Sequence, residues 1–162
     1  MIYCPEYCIE APDDFPITEL TQFMATARHV LLDSGKARES AWKEFAGASN
    51  LIGWRFRASS EDWLYYKNSW EMYGAAVDHE GKYRRERALF GMFTAGVACV
   101  ESTTYALAAL ASHSKVFAMP FGIKEQRACS PKRLAKWLAS NPKASSLVET
   151  LKSLHHSSEW NL

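Results

Sequence analysis

The side chains of this chain that could do chemistry are five histidines, four cysteines, one carboxylate inside an apolar run, and a cluster of arginines. The cysteines sit at Cys4, Cys8, Cys99 and Cys129. Cys4 and Cys8 form a C-x3-C pair, but a structural zinc site takes four ligands, and no second pair follows. The histidines are His29, His79, His113, His155 and His156. Asp78-His79-Glu80 sets three donors in a row, yet consecutive helical residues point in different directions, and the same holds for His155-His156. No metal site and no cofactor is therefore expected. The phosphate loop G-x-x-x-x-G-K-[ST], the dinucleotide fingerprint G-x-G-x-x-G, H-E-x-x-H and G-x-S-x-G do not occur. No catalytic residue is assigned.

Two features place charge where function could use it. Residues 88 to 114 contain no Asp, Lys or Arg and a single acid, Glu101. A carboxylate buried in such a run must find a donor or stay protonated. Glu101 is thus the candidate buried polar residue, with an Arg or Tyr of a neighbouring helix as its expected partner. Basic residues gather just before that run, at Lys82, Arg84, Arg85 and Arg87. The near-neutral total of +1 hides an asymmetry: residues 1 to 80 hold 7 Lys/Arg against 13 Asp/Glu, and residues 81 to 162 hold 12 against 5. The acidic and basic halves could face each other, with modest, salt-screened gains. Alternatively, Lys82, Arg84, Arg85 and Arg87 form a patch for phosphates. In Trp54-Arg55-Phe56-Arg57 the rings could stack on unpaired bases beside Arg55 and Arg57, or fill a core while the arginines reach solvent.

Helices must position these groups. Residues 1 to 16, with Pro5, Pro12 and Pro16, show neither helical nor strand periodicity and predict an irregular arm. A helix opens near Thr18 with Leu20, Phe23, Met24, Ala27, Val30 and Leu31 on one face, and Gly35 is a plausible left-handed end. A second pattern from Ala37 carries Trp42 and Phe45 and loosens at Gly47 and Gly53, leaving residues 51 to 57 helical or irregular. Ser59 or Ser60 then caps a third helix whose stripe is Trp63, Tyr66, Trp70 and Tyr73. The longest helix runs from about Lys82 to Ser112. Gly91, Ala95, Cys99 and Thr103 form a small-residue ridge that lets another helix come close, while Phe93 and Val97 are expected to fill core space. A loop from about Ser114 to Cys129 leads to a short helix capped by Ser130-Pro131. Asn141-Pro142 ends that helix, and Ser146 with Glu149 forms a capping box for the last one.

With 48% hydrophobic residues, 8 Gly and 6 Pro, the chain is neither disordered nor fibrous. The expected fold is all-α: one domain over residues 1 to 162, an antiparallel helical bundle with a long buried central helix. A mean hydropathy of −0.26 favours burial of that helix in protein over a membrane span. The opening stretch has no basic n-region or apolar h-region, so reduced thiols and a cytoplasmic setting are expected. The ending at Trp160-Asn161-Leu162 suggests a docked C-terminus or a cut inside a longer gene.

The stretch from Arg84-Arg-Glu-Arg through Ala-Leu-Phe-Gly-Met-Phe, Val-Ala-Cys-Val-Glu-Ser and Tyr-Ala-Leu-Ala-Ala-Leu-Ala resembles helical proteins of the HEPN type (higher eukaryotes and prokaryotes nucleotide-binding). Asn50-Leu51-Ile52-Gly53-Trp54-Arg55-Phe56-Arg57 is similar to segments of bacterial relatives. The resemblance covers about a third of the chain and implies an antiparallel, often dimeric bundle, with many members acting as RNases in toxin–antitoxin, abortive-infection or CRISPR systems. Their R-x(4–6)-H motif has no counterpart here, because no His follows an Arg at that spacing. The resemblance thus implies a non-catalytic relative that binds RNA, nucleotide or a protein partner, or a motif lying beyond Leu162. The alternative expectation is a homodimeric structural or protein-interaction module with no nucleic-acid role.

Overall fold

The structure is a computed structural model and describes residues 2–4, 9–32, 39–113, 117 and 119–156. It is an all-α fold. After strands β1 (Ile2–Cys4) and β2 (Ile9–Ala11) come helices α1 (Ile17–Leu32), α2 (Glu39–Tyr73), α3 (His79–His113), α4 (Ile123–Arg127) and α5 (Pro131–Leu138), then a 3₁₀ turn (Pro142–Ala144) and α6 (Ser145–His156). The contacts group into two compact units, Met1–Thr21 with Asn50–Cys99 and Gln22–Ser49 with Val100–Leu162. Helices α2 and α3 contribute to both.

In the first unit, β1 and β2 pair antiparallel with Ile2 opposite Ala11 and Cys4 opposite Ile9. The arm expected to be irregular therefore carries a small hairpin. Three-residue strands are too short to show an alternating pattern. The Pro12 carbonyl accepts from the Phe15 amide at 3.0 Å, and the turn leads into α1. Phe15 is buried and meets Phe56 of α2 at 5.0 Å between ring centres.

Helix α2 runs unbroken through Gly47, Gly53 and the Ser59-Ser60 pair, so residues 51 to 57 are helical and the expected cap is a correction. Ser-Ser-Glu-Asp has the composition of an N-terminus, but here the Ser59 hydroxyl donates to the Met92 carbonyl of α3 at 3.0 Å. The tertiary contact overrides the local signal. Helix α2 ends at Gly74, whose φ of 52° is the left-handed conformation that terminates a helix, and whose amide donates to the Trp70 carbonyl at 2.9 Å. Helix α3 starts at His79, three residues before the expected Lys82, because the Asp78 carboxylate accepts from the Gly81 amide at 2.7 Å. Asp78-His79-Glu80 is a helix start.

The second unit holds the apolar core. Met24, Ala27 and Leu31 of α1 are buried as the helical spacing predicts, and Phe45 of α2 is buried beneath Phe23 and Trp42. The Val30 side chain, residues 33 to 38 with Gly35, and residues 157 to 162 lie outside the described part. Ala108 and Ala111 of α3 join Met119, Leu134, Leu138, Val148 and Leu151 in one cluster. Ser130 caps α5 as expected, its hydroxyl accepting from the Arg133 amide at 3.3 Å. Two corrections follow. The loop after α3 contains α4. Helix α5 stops ahead of Asn141-Pro142 as expected, and Asn141 caps the 3₁₀ turn by accepting from the Lys143 amide at 3.0 Å. That turn feeds α6 directly, which leaves Ser146 inside the helix.

The long helix is present, but its burial is uneven. Ala106, Ala108 and Ala109 are buried, whereas Phe90, Phe93 and Val97 are exposed. An apolar window of α3 has the length and hydropathy to cross a membrane, and 28% of it is buried. The reason is geometric: the small-residue face turns inward, which turns the opposite, ring-bearing face out.

A Cβ at Gly74 would meet nothing within 4 Å, so a substitution there reads backbone conformation alone. Gly74→Ala should cost about 1 kcal/mol in urea denaturation, and an unchanged midpoint would contradict the left-handed helix end.

Candidate interaction surface

Helices α2 and α3 of the first unit run antiparallel, and polar side chains line the face where they meet. Arg55 Nη1 donates to the Ala98 carbonyl at 2.8 Å, Ser59 Oγ to the Met92 carbonyl, and Cys99 Sγ to the Ile52 carbonyl at 3.5 Å. A helix carbonyl keeps a second lone pair after its i+4 bond, so each contact ties a side chain to the other helix's backbone. Such contacts need the backbones close, and the expected ridge supplies that. A Cβ placed on Gly91 would collide with Asp62 Oδ2. The ridge residues Gly91 and Cys99 thus face α2.

Arg85 closes the end of the hairpin. It is 4% exposed. Its Nε donates to Ser69 Oγ at 2.8 Å, Nη2 donates to the Ser69 carbonyl at 2.6 Å, and Nη1 donates to the Gly74 carbonyl. Its guanidinium lies 4.4 Å from the Trp70 ring centre. The last turn of α2 has no basic residue of its own. Arg85 places a cation at the negative end of that helix dipole.

The rings therefore lie outside. Trp63 stacks on Tyr66 at 6.1 Å and Tyr66 meets Trp70 at 6.4 Å, so the expected stripe is a ladder of rings. Trp63, Trp70 and Tyr73 are nonetheless exposed, as are Trp54 (60%), Met72 (70%), Tyr83 (63%) and Phe90 (73%). Phe93 and Val97, expected in the core, belong to this outer set. Two open clefts cut the hairpin. One of about 610 Å³ is lined in part by Tyr65, Ser69, Tyr73, Asp78 and Arg84, and one of about 290 Å³ by Trp54, Arg57, Ala58 and Glu61. No histidine or thiol lines either among the described residues, and neither cleft sets a nucleophile beside a base.

The basic residues singled out in the sequence are not brought together. Arg85 is buried in its clamp and Arg55 is tied to Ala98. Arg57 pairs with Glu61 at 2.7 Å, and Arg84 with Glu80 at 2.7 Å. Lys82 and Arg87 are exposed. At 100° per residue, Lys82, Arg84, Arg85 and Arg87 point around the helix and not along one face. Glu101 is exposed, which corrects the buried carboxylate. It falls on the outer face of α3 with Phe90, Thr94 and Val97. An apolar run dense in Ala and Cys reads as buried even when half of its surface faces water.

Tyr105 of the second unit donates to Glu44 Oε2 at 2.7 Å and packs edge-on to Phe121. Burial and that carboxylate hold the phenol well above its ordinary range. Burial also raises the Cys99 thiol, against the neighbouring Arg55 charge, and pushes Cys129 up to about 11. These thiols are protonated near neutrality and poor nucleophiles. Cys8 lies outside the described residues, so the C-x3-C pair is not described. No group of three His, Cys, Asp or Glu gathers among the described residues. Sequence reasoning missed the polar inner face; its signal was the set Arg55, Ser59, Asp62 and Ser69 at helical spacing on α2, facing small residues of α3 such as Gly91. In comparison with known proteins, the chain matches no family model, no curated protein and no solved structure.

Replacing Arg85 with Met should lower stability by about 3 kcal/mol, because buried carbonyls lose charged donors, and Arg85→Lys should lose less. A loss under about 0.5 kcal/mol in the Met variant, measured by urea denaturation, would contradict the clamp. A thiol raised in the folded state favours folding below its unfolded value of 9.0, and that contribution disappears as pH climbs through about 11. Stability should therefore fall between pH 9 and 11, less so in Cys129→Ala, and equal slopes in the two proteins would contradict the burial of Cys129.

Proposed function

We propose that this chain is a cytoplasmic, non-catalytic protein-interaction module that works through the outer, ring-bearing surface of the α2–α3 hairpin. One observation carries the reading: polar side chains occupy the inner face of the hairpin while Trp54, Trp63, Trp70, Tyr83, Phe90 and Phe93 lie exposed. Large exposed rings are costly in water, and aromatic side chains are enriched where proteins meet. Arg85 and Arg55 serve the hairpin itself, which leaves little of the expected phosphate patch in place.

A second reading keeps an RNA- or nucleotide-binding role of the HEPN kind, in a defence or toxin–antitoxin context. The observation that favours it lies on α5, where Lys132, Arg133 and Lys136 are exposed opposite buried Leu134, Ala135 and Leu138. A basic helical face of this sort attracts phosphates.

Size-exclusion chromatography with light scattering and absorbance at two wavelengths separates the readings. The module reading predicts protein-only absorbance and assembly that persists in high salt. Excess absorbance at 260 nm that is removed by salt would contradict it and support the second reading.

A further inference from the structure

Helix α5 of the second unit is divided between two faces. Leu134, Ala135 and Leu138 are buried, packed with Val148 and Leu151 of α6 in the apolar cluster. At 100° per residue, Lys132, Arg133 and Lys136 fall opposite them, and all three are exposed. Burial of the apolar half thus fixes the basic half toward solvent. The neighbouring chain adds to it, since Lys124 and Arg127 of α4 and Lys143 of the 3₁₀ turn are also exposed. Between Lys124 and Lys143 the sequence holds these six cations and one acid, Glu125. The carboxylate of Glu125 accepts from the Gly122 amide at 3.1 Å. Arg57 and Arg84 of the hairpin each have an acid one turn away, whereas none of these six has an ion-pair partner among the described residues. No exposed ring accompanies them, because Trp137, the one aromatic residue between Ile123 and His156, is half-buried against the cluster. An aliphatic side chain does accompany them: Ile123, 71% exposed, adjoins Lys124.

We propose that this face docks on an anionic bilayer surface, with its cations against headgroup phosphates and Ile123 at the boundary with the acyl chains. The inference goes beyond the module reading, whose rings belong to the first unit, and competes with the second reading for the same cations. Charge complementarity selects a polyanion, and the uncharged neighbour selects which one. A single-stranded nucleic acid is held by rings on which its bases stack, and this face presents none among the described residues. A duplex offers phosphates but no apolar layer, which would leave Ile123 in water. A bilayer interface offers both, and clusters of about four to eight Lys or Arg on an amphipathic helix suit it. Each Lys or Arg near such a surface raises partitioning about fivefold, and the attraction falls off within a Debye length. The face therefore responds to the charge density of the membrane rather than to one headgroup.

Flotation of the full chain tests this with vesicles of phosphatidylcholine alone and of phosphatidylcholine mixed with one-third phosphatidylglycerol. The chain should float with the anionic vesicles only, and high salt should release it. Lys132→Gln and Lys136→Gln should each lower partitioning about fivefold, and together about 25-fold. Lys67→Gln removes one charge from α2 and should change partitioning less than about twofold. Ile123→Ser should weaken binding about fivefold with the salt dependence kept. All four positions are exposed, so helicity by circular dichroism should be the same in every variant. Flotation with phosphatidylcholine alone overturns the charge argument, and binding unchanged by Lys132→Gln with Lys136→Gln overturns the face. Binding that ignores Ile123→Ser, or that duplex RNA at equal phosphate concentration displaces, overturns the bilayer and gives the face to the nucleic acid of the second reading. A chain that floats with neither vesicle overturns lipid docking, and the module reading stands in each of these cases.

Discussion

The first unit depends on the close approach of two helix backbones, held by side chains that reach across to carbonyl oxygens. Arg55, Ser59 and Cys99 make such contacts along the hairpin, and Arg85 makes two at its end, with a third bond to the Ser69 hydroxyl. Each is worth only about 1 kcal/mol net, more where the donor is charged. Their geometric demand is larger than their energy. They require small residues on α3, which is why Gly91 lies against Asp62. Once that face turns inward, the period of the helix sends Tyr83, Phe90 and Val97 to the far side. An inner face built from polar groups thus creates an outer face built from rings.

The same constraint redistributes charge. An arginine cluster in a sequence invites a phosphate, but a guanidinium with five donors is also suited to gather the loose carbonyls at a helix end. Arg85 does this at the C-terminus of α2, between Ser69 and Gly74. Arg57 and Arg84 are answered by acids one turn away on their own helices. These exposed pairs contribute little to stability. The second unit is built differently: its side chains pack apolar against apolar around Phe45, Leu134 and Leu138, and its polar contacts, such as Tyr105 with Glu44, lie at the margin.

Helix class, the span of α3 and the ridge beginning at Gly91 were legible in the sequence because each rests on periodicity within one element. The Ser130-Pro131 start of α5 was legible for a similar reason: an N-cap is a local hydrogen bond. What failed were inferences needing the neighbour. Ser59 has the look of a cap until its hydroxyl finds Met92 on another helix. Glu101 looks buried when its run is judged by composition, and exposed when judged by face. The strands at Ile2–Cys4 and Ile9–Ala11 are too short to carry a pattern. The candidate surface was the least legible part, since Trp63, Tyr66 and Trp70 at helical spacing have the signature of a core stripe, whereas Trp63 and Trp70 are exposed.

The central claim is that the outer rings of α3 are covered when the protein is at work. Hydroxyl-radical footprinting read by mass spectrometry reports it most directly, because it measures the accessibility of individual side chains in the intact chain. Compared between dilute and concentrated protein, oxidation of Tyr83, Phe90 and Phe93 should fall on concentration while that of Met72 on α2 stays constant. Equal oxidation of the three rings at both concentrations would contradict the account.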